Sequence, residues 1–389
     1  MRKSIILTIA LAVIVLIITR SVQSKYKIAT GQVNKDSLVT VSFSAVGDLM
    51  CHSVQYDYAR VNADSFDFYP VYRFIKPFLQ HSDFTFGNLE TVTAGKASGY
   101  SGYPYFNAPD DFLNPLKSVG FDLITTANNH ALDRGEEGVL RTIAQLKKNG
   151  LNYDGTFTSE RDRDSIRIYN IKGIKIAFLA YTYGTNGSPV PKGKPYLINL
   201  IDTTLIKHDI ITARNSGAEI VLVYYHFGQE YQRQPTAFQQ MVVNKTVSYG
   251  ADIIIGGHPH VIEPTKFFKT ENGKLDSGFV AYSLGNFVSN QRWRYSDCGV
   301  ILTLDITKNF TTDSIYISKV TYLPTWVFKG KTDRGNEYII LPSQIQNNDS
   351  TFKFLSESDK FKMLQSYNDT KQILTEYTHN IYVDKIFEK

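Results

Sequence analysis

Short apolar, β-branched runs alternate with stretches of helical spacing through the first two thirds of the chain. Leu38–Val46, Phe84–Phe86, Leu123–Ala127, Ile220–Tyr225 and Ile253–Ile255 read as buried strands. A parallel strand covered on both faces shows such a near-continuous apolar run. Val71–Leu79, Asp110–Val119, Gly135–Asn149, Thr203–Asn215 and Thr236–Tyr249 have helical spacing, and the third carries Val139, Ile143 and Leu146 on one face. Pro77 and Pro115 limit how far the first two can run. Ile168–Ile171 and Lys175–Tyr181 flank Lys172-Gly173-Ile174, a hairpin signal. Beyond Ile255 the pattern turns all-β, with Thr265–Lys269, Phe279–Ser283, Val300–Leu304 and Ser314–Tyr322. A closing helix is expected over Asp359–His379. This order predicts an α/β fold with two stacked sheets and helices outside.

The first 24 residues differ from the rest. Arg2-Lys3 precede Ser4–Thr19, a charge-free apolar stretch that ends at Arg20. Its length falls between a signal-peptide core of roughly 7–15 residues and a membrane span of roughly 20. Val22-Gln23-Ser24 lacks the small-x-small pattern of a good cleavage site, so residues 1–24 are read as a signal anchor in preference to a cleaved signal peptide. Either way the basic residues stay inside and the remainder is exported. Residues 25–37 read as a linker, 38–325 as the main domain, and 326–389 as a C-terminal extension with a helix.

Charge excludes one partner class. A net +5 over 389 residues, with no Arg/Lys block, is not a nucleic-acid footprint. Two cysteines, Cys51 and Cys298, are too few for a disulfide framework and read as buried thiols.

The candidate chemistry gathers where the strands end. Asn128-Asn129-His130 follows one apolar run, His226 another, and Gly256-Gly257-His258-Pro259-His260 a third. Asp48 and Glu90 follow two more. The rim beyond strand carboxyl ends is where open α/β sheets bind ligands, and imidazoles, carboxylates and an Asn amide suit Zn²⁺, Mn²⁺ or Fe. His258 and His260 can share one cavity if Pro259 holds the loop extended and two glycines permit a sharp turn into it. His130 suits a proton donor, with Asp133 placed to orient its imidazole or to cap the helix that follows. A lone His such as His226 is more often a core residue; its alignment with the other strand ends makes it a candidate ligand.

These motifs together resemble the CapA family of capsule (poly-γ-glutamate) synthesis proteins, related to calcineurin-like metallophosphoesterases. The resemblance runs through Ala45-Val46-Gly47-Asp48-Leu49-Met50, Phe86-Gly87-Asn88-Leu89-Glu90 and Thr126-Ala127-Asn128-Asn129-His130-Ala131-Leu132-Asp133. It continues through His226-Phe227-Gly228-Gln229-Glu230, Gly256-Gly257-His258-Pro259-His260-Val261 and Ser283-Leu284-Gly285-Asn286-Phe287. It implies a four-layer α/β/β/α sandwich of the metallophosphoesterase type, with an N-terminal membrane segment. It also implies one or two divalent metals (Mn, Zn or Fe). Carried over, Asp48 and His260 would hold the first metal and Asn129, His226 and His258 the second. Glu90 would stand where the superfamily bridges the two, and His130 would protonate a leaving group. The superfamily's first motif is Asp-x-His, but Met50 occupies its third position here, and a thioether has little affinity for these metals. His52, two residues on, is the candidate replacement. The implied role is biosynthesis or export of an anionic polymer such as poly-γ-glutamate, at the membrane and alongside polymerase subunits. A stand-alone envelope phosphoesterase or amide hydrolase is the alternative.

Overall fold

The computed structural model describes residues 38–344 and 352–384. Of these, 39–308, 315–344 and 352–384 belong to one compact unit, and Leu38 with 309–314 to a second. The elements that bear on function lie in the first. The expected anchor and linker lie outside the described residues. Among the described residues, no helix is long and apolar enough to cross a membrane.

The strands in chain order are β1 Leu38–Leu49, β2 Phe84–Leu89, β3 Leu123–Thr125, β4 Asn152–Asp154 and β5 Arg167–Ile171. Then come β6 Ile174–Thr182, β7 Ile220–His226, β8 Ile253–Gly257, β9 Thr265–Lys269 and β10 Ser277–Ala281. The last are β11 Asn286–Val288, β12 Cys298–Asn309, β13 Ser314–Thr332, β14 Gly335–Pro342 and β15 Tyr382–Val383. A nine-stranded sheet runs β14-β13-β12-β1-β2-β3-β4, with β11 also on β1 and β15 on β13. A six-stranded sheet runs β5-β6-β7-β8-β10-β9.

Alternation along the strands assigns their faces. Val41, Phe43, Ala45 and Phe86 of the first sheet share one core with Phe178, Leu222, Tyr224 and Ile255 of the second. Val46, Leu49 and Ile124 turn the other way, onto Leu116, Val139, Ile143 and Leu146 of the helices Asn114–Val119 and Gly135–Lys148. Leu179, Val221 and Val223 face Ile206, Ile210, Val242 and Val243 of the helices Thr203–Asn215 and Ala237–Tyr249. Both sheets are therefore covered by helices on their outer sides.

Three expectations shift. The helices expected over Val71–Leu79 and Asp110–Val119 each split into a 3-10 turn, Tyr69–Tyr72 or Asp110–Leu113, followed by a short α-helix, Lys76–His81 or Asn114–Val119. Pro77 and Pro115 open the second pieces, where a missing N–H costs nothing. β13 passes straight through Pro324 to Thr332 and pairs antiparallel with β14. Position 325 is thus mid-strand, and residues 326–342 continue the main sheet. The closing helix runs Glu357–Thr375, sending Met363 against Trp326 and Ile339. The hairpin at Lys172-Gly173 is present, with both residues at positive φ.

Candidate metal centre

The parallel strands β1, β2 and β3 of one sheet and β7 and β8 of the other bring their carboxyl ends to a common edge. Asp48 lies inside β1, one residue before its end, because β1 runs on to pair with β11 at Asp48↔Asn286. Glu90 follows β2, Asn129 and His130 follow β3, His226 closes β7, and His258 and His260 follow β8. Asp48, Glu90 and His226 are fully buried, and Asn129, His130, His258 and His260 nearly so.

Gly256 and Gly257 show why no side chain fits at that edge. A Cβ on Gly256 would lie 1.9 Å from the Tyr282 carbonyl oxygen, and one on Gly257 would lie 2.4 Å from the Tyr224 hydroxyl and 2.8 Å from Asp48 Oδ1. The loop beyond them is not extended. His258 and His260 take positive φ values of 97° and 58° on either side of Pro259. Such conformations cost on the order of 1–3 kcal/mol each for a non-glycine residue. In return the two rings sit 5.9 Å apart, and His258 lies 4.8 Å from the His226 ring.

Three sets of donors lie close enough to share an ion. Asp48, Glu90 and His260 form one, Glu90, His226 and His258 a second, and Glu230, His258 and His260 a third. Glu90 belongs to two of them. Its Oε1 is 3.4 Å from His226 Nε2 and 3.8 Å from His260 Nε2. Asn129 Oδ1 lies 2.8 Å from His226 Nε2, so the amide oxygen joins the second set. Asp48 accepts from the Asn88 amide at 2.8 Å and from the His258 backbone N–H at 3.2 Å.

Burial and neighbours split the titrating groups. Burial pushes Asp48 up, but the His260 hydrogen bond and the charges of His226 and His260 bring it down to about 2. Glu90 is pushed well above the usual carboxylate range by burial and then by Asp48. Burial holds His226 down at about 3 and His258 well below the usual imidazole range. His260 rises to about 9, because Glu90 and Asp48 outweigh its burial. Two neutral imidazoles, His226 and His258, thus lie beside Asp48 and Glu90.

The donor set fits a divalent cation. Both Glu90 oxygens and His258 Nδ1 are buried without a hydrogen-bond partner. A buried unpaired carboxylate costs several kcal/mol, and a bound cation removes that cost. His52 does not complete the set. Its Nδ1 lies 3.1 Å from Gln55 Oε1 and accepts from the Asn290 backbone N–H, while its ring packs edge-on to Phe106. Buried Met50 leaves the Asp48 side without an imidazole from its own strand. Cys51 and Cys298 are buried thiols, and neither joins a metal-capable group among the described residues.

His130 stands apart from these sets. Its Nδ1 lies 2.7 Å from Asp133 Oδ2, which also accepts from the Phe106 backbone N–H, and its ring packs edge-on to Phe106 at 4.7 Å. Asp133 thereby fixes the imidazole and leaves Nε2 facing Asn186 at 3.5 Å.

Sequence reasoning missed several supports. Asn88 lies within β2, donates to Asp48, and its carbonyl oxygen accepts from Thr125 and Asn128. Asn286 Oδ1 is 3.1 Å from His260 Nδ1. Asn88, Asn286 and Glu230 were visible only as members of motifs, with no role assigned. An Asn inside a run of buried strand residues was the available signal for Asn88.

The Bacterial capsule synthesis protein PGA_cap family model matches residues 42–291. The capsule biosynthesis protein CapA of Bacillus anthracis is 28% identical over 317 residues, covering 79% of this chain and 74% of that protein. The PGA biosynthesis protein CapA of Bacillus subtilis (strain 168) is 30% identical over 290 residues, covering 73% of each. Among solved structures, Haemophilus influenzae NAD nucleotidase aligns at TM-score 0.47 and 15% identity, over 90% of this chain and 64% of that one. The calcineurin-like phosphoesterase YfkN of Bacillus subtilis aligns at TM-score 0.41 and 14% identity, over 86% and 98%. Every residue of the strand-end shell, from Asp48 to Asn286, lies inside the matched segment, and the chain belongs to the PGA_cap (CapA) family of bacterial capsule synthesis proteins.

Proposed function

We propose that this protein acts outside the cytoplasm, tethered by its N-terminal segment, in making or exporting an anionic capsule polymer of the poly-γ-glutamate kind. Its strand-end shell serves as a divalent-metal centre in an α/β/β/α domain of phosphoesterase type. Family membership supports the polymer role, and the mild positive charge suits an anionic partner handled with membrane polymerase subunits. One observation carries the metal reading: Glu90, fully buried, has two unpaired oxygens among three imidazoles.

Asp48, Glu90 and His260 hold one ion, and Glu90, Asn129, His226 and His258 a second. When bound, such ions supply Lewis-acid polarisation of a phosphoester or amide. The chain's own residues supply the rest. Asp133 holds His130 with one nitrogen engaged, so that the other delivers a proton to a leaving group. Asn88 and the His258 backbone N–H aim Asp48, and His260 and His226 beside it keep it ionised.

A second reading, a non-catalytic guide for the polymer, is favoured by Met50 and by His52 Nδ1 accepting from the Asn290 backbone N–H. Polymer production in a strain carrying single substitutions separates the two. A catalytic site requires that His130→Ala abolish production while metal content and folding persist, and that His258→Ala lose metal as well. Normal polymer levels in folded His130→Ala would leave guidance as the function.

A further inference from the structure

The loop that follows β7 carries an exposed carboxylate to the buried shell. Gly228 turns the chain at a φ of 116°, and Gln232 donates its backbone N–H to the Gln229 carbonyl, so that Glu230 and Tyr231 form a tight turn. Tyr231 stands at a φ of 63°, a conformation that costs on the order of 1–3 kcal/mol for a non-glycine residue and is kept only where its surroundings hold it. Its backbone N–H donates to the Pro259 carbonyl at 2.8 Å. That bond fastens the β7 loop to the one residue that separates His258 from His260. Glu230, next to Tyr231, is set beside both rings, with a carboxylate oxygen and a nitrogen from each ring all within 4.8 Å of one another.

The Asp48 side of the shell is short of donors. Glu90 is shared with the set that contains His226 and His258, which leaves Asp48 and His260 as the other donors of the first set. That is fewer than the four that Zn²⁺ takes. Met50 brings no imidazole there, and His52 Nδ1 accepts from the Asn290 backbone N–H. Glu230 shares His260 with this set, and no ion pair joins it to a Lys or Arg among the described residues. An uncompensated carboxylate at this position would also repel an anionic polymer approaching the centre. A cation bound to it removes that repulsion.

We propose that Glu230 is a metal ligand, supplied from the β7 loop in place of the imidazole that Met50 removes, and that it completes the weaker of two ion sites from the solvent side. A carboxylate oxygen is an ordinary donor to Zn²⁺ or Mn²⁺. The weaker site then depends on the bond between Tyr231 and Pro259 as well as on the strand ends, because that bond places the ligand. The proposal rests on the strand-end shell holding metal.

Metal binding itself is the readout. The full chain is loaded with Zn²⁺, its ions are counted by elemental analysis, and their affinities are ranked by competition with a chelator. Wild-type protein should hold two ions, one more tightly than the other. Glu230→Gln and Glu230→Ala should each weaken the second ion at least about tenfold, the scale on which even a group behind a ligand acts, and leave the tighter ion unchanged. Glu230→His, which offers a donor without the negative charge, should keep the second ion. Position 230 is exposed, so all three variants should fold, and thermal melts check this. Wild-type affinity for both ions in the Gln and Ala variants would overturn the proposal while leaving the metal reading in place. Equal loss of the second ion in all three variants would also overturn it, by reducing Glu230 to a source of charge. A wild-type chain that takes up no Zn²⁺ would sink the metal reading and the proposal together.

Discussion

Glu90 and Glu263 are buried carboxylates with different expected consequences. Neither Glu90 oxygen has a hydrogen-bond partner, so Glu90→Gln should lose at least one bound metal while the metal-free protein becomes no less stable. Elemental analysis with urea melts checks both, and full metal retention would deny Glu90 its shared position. Glu263 donates nothing to the shell; burial raises it to about 8, although one oxygen accepts from Gln239 at 2.6 Å. Its folded pKa lies above its unfolded value, so the folded state holds the extra proton between about pH 4.5 and pH 8. Stability therefore falls as pH rises through that window, by a few kcal/mol on the order-of-magnitude scale of such shifts. Glu263→Gln should flatten that slope in melts across pH 4–9, and an unchanged slope would place its origin elsewhere. The strand-end residues Asp48, Glu90, Asn129, His226, His258 and His260 were legible because each follows an apolar run. Asn88 and Asn286 were not, because they act from inside strands, where pattern reports burial and not partners.

Elements were legible where periodicity was uninterrupted, and their ends were less so. The strand expected over Ser314–Tyr322 runs on through Pro324 to Thr332, and Ser343 donates its N–H to the Pro324 carbonyl. The chain beyond 325 therefore supplies sheet and core. Trp326 is fully buried among Phe328, Ile339, Leu341 and Met363. Trp326→Ala should cost about 3–5 kcal/mol in denaturant unfolding, and truncation after Thr325 should leave no cooperatively folded protein. A soluble, cooperatively unfolding truncate would show the C-terminal strands to be dispensable. The two glycines ending β8 were readable as a tight turn, but the left-handed backbone of His258 and His260 was not. The residue before a proline ordinarily avoids that region, and only the surrounding packing enforces it.

For the whole molecule, two sheets share one core and their helices close the outer sides, which leaves the strand carboxyl edge as the place where both sheets contribute side chains. That convergence follows from topology, and the alternation of strands and helices announced it. Location is a separate expectation. A C-terminally tagged chain should fractionate with membranes and be cut by protease added outside. A soluble extracytoplasmic product shortened by about 24 residues would mean cleavage at the segment's end. The central claim is that this edge holds metal, with the Asp48 side weakened by Met50. Elemental analysis of the full chain, incubated with Mn²⁺ or Zn²⁺ and then mildly chelated, tests it most directly. One ion should be retained more tightly than a second, and His258→Ala should lose the tighter one; a chain that takes up no metal under either condition would contradict the account.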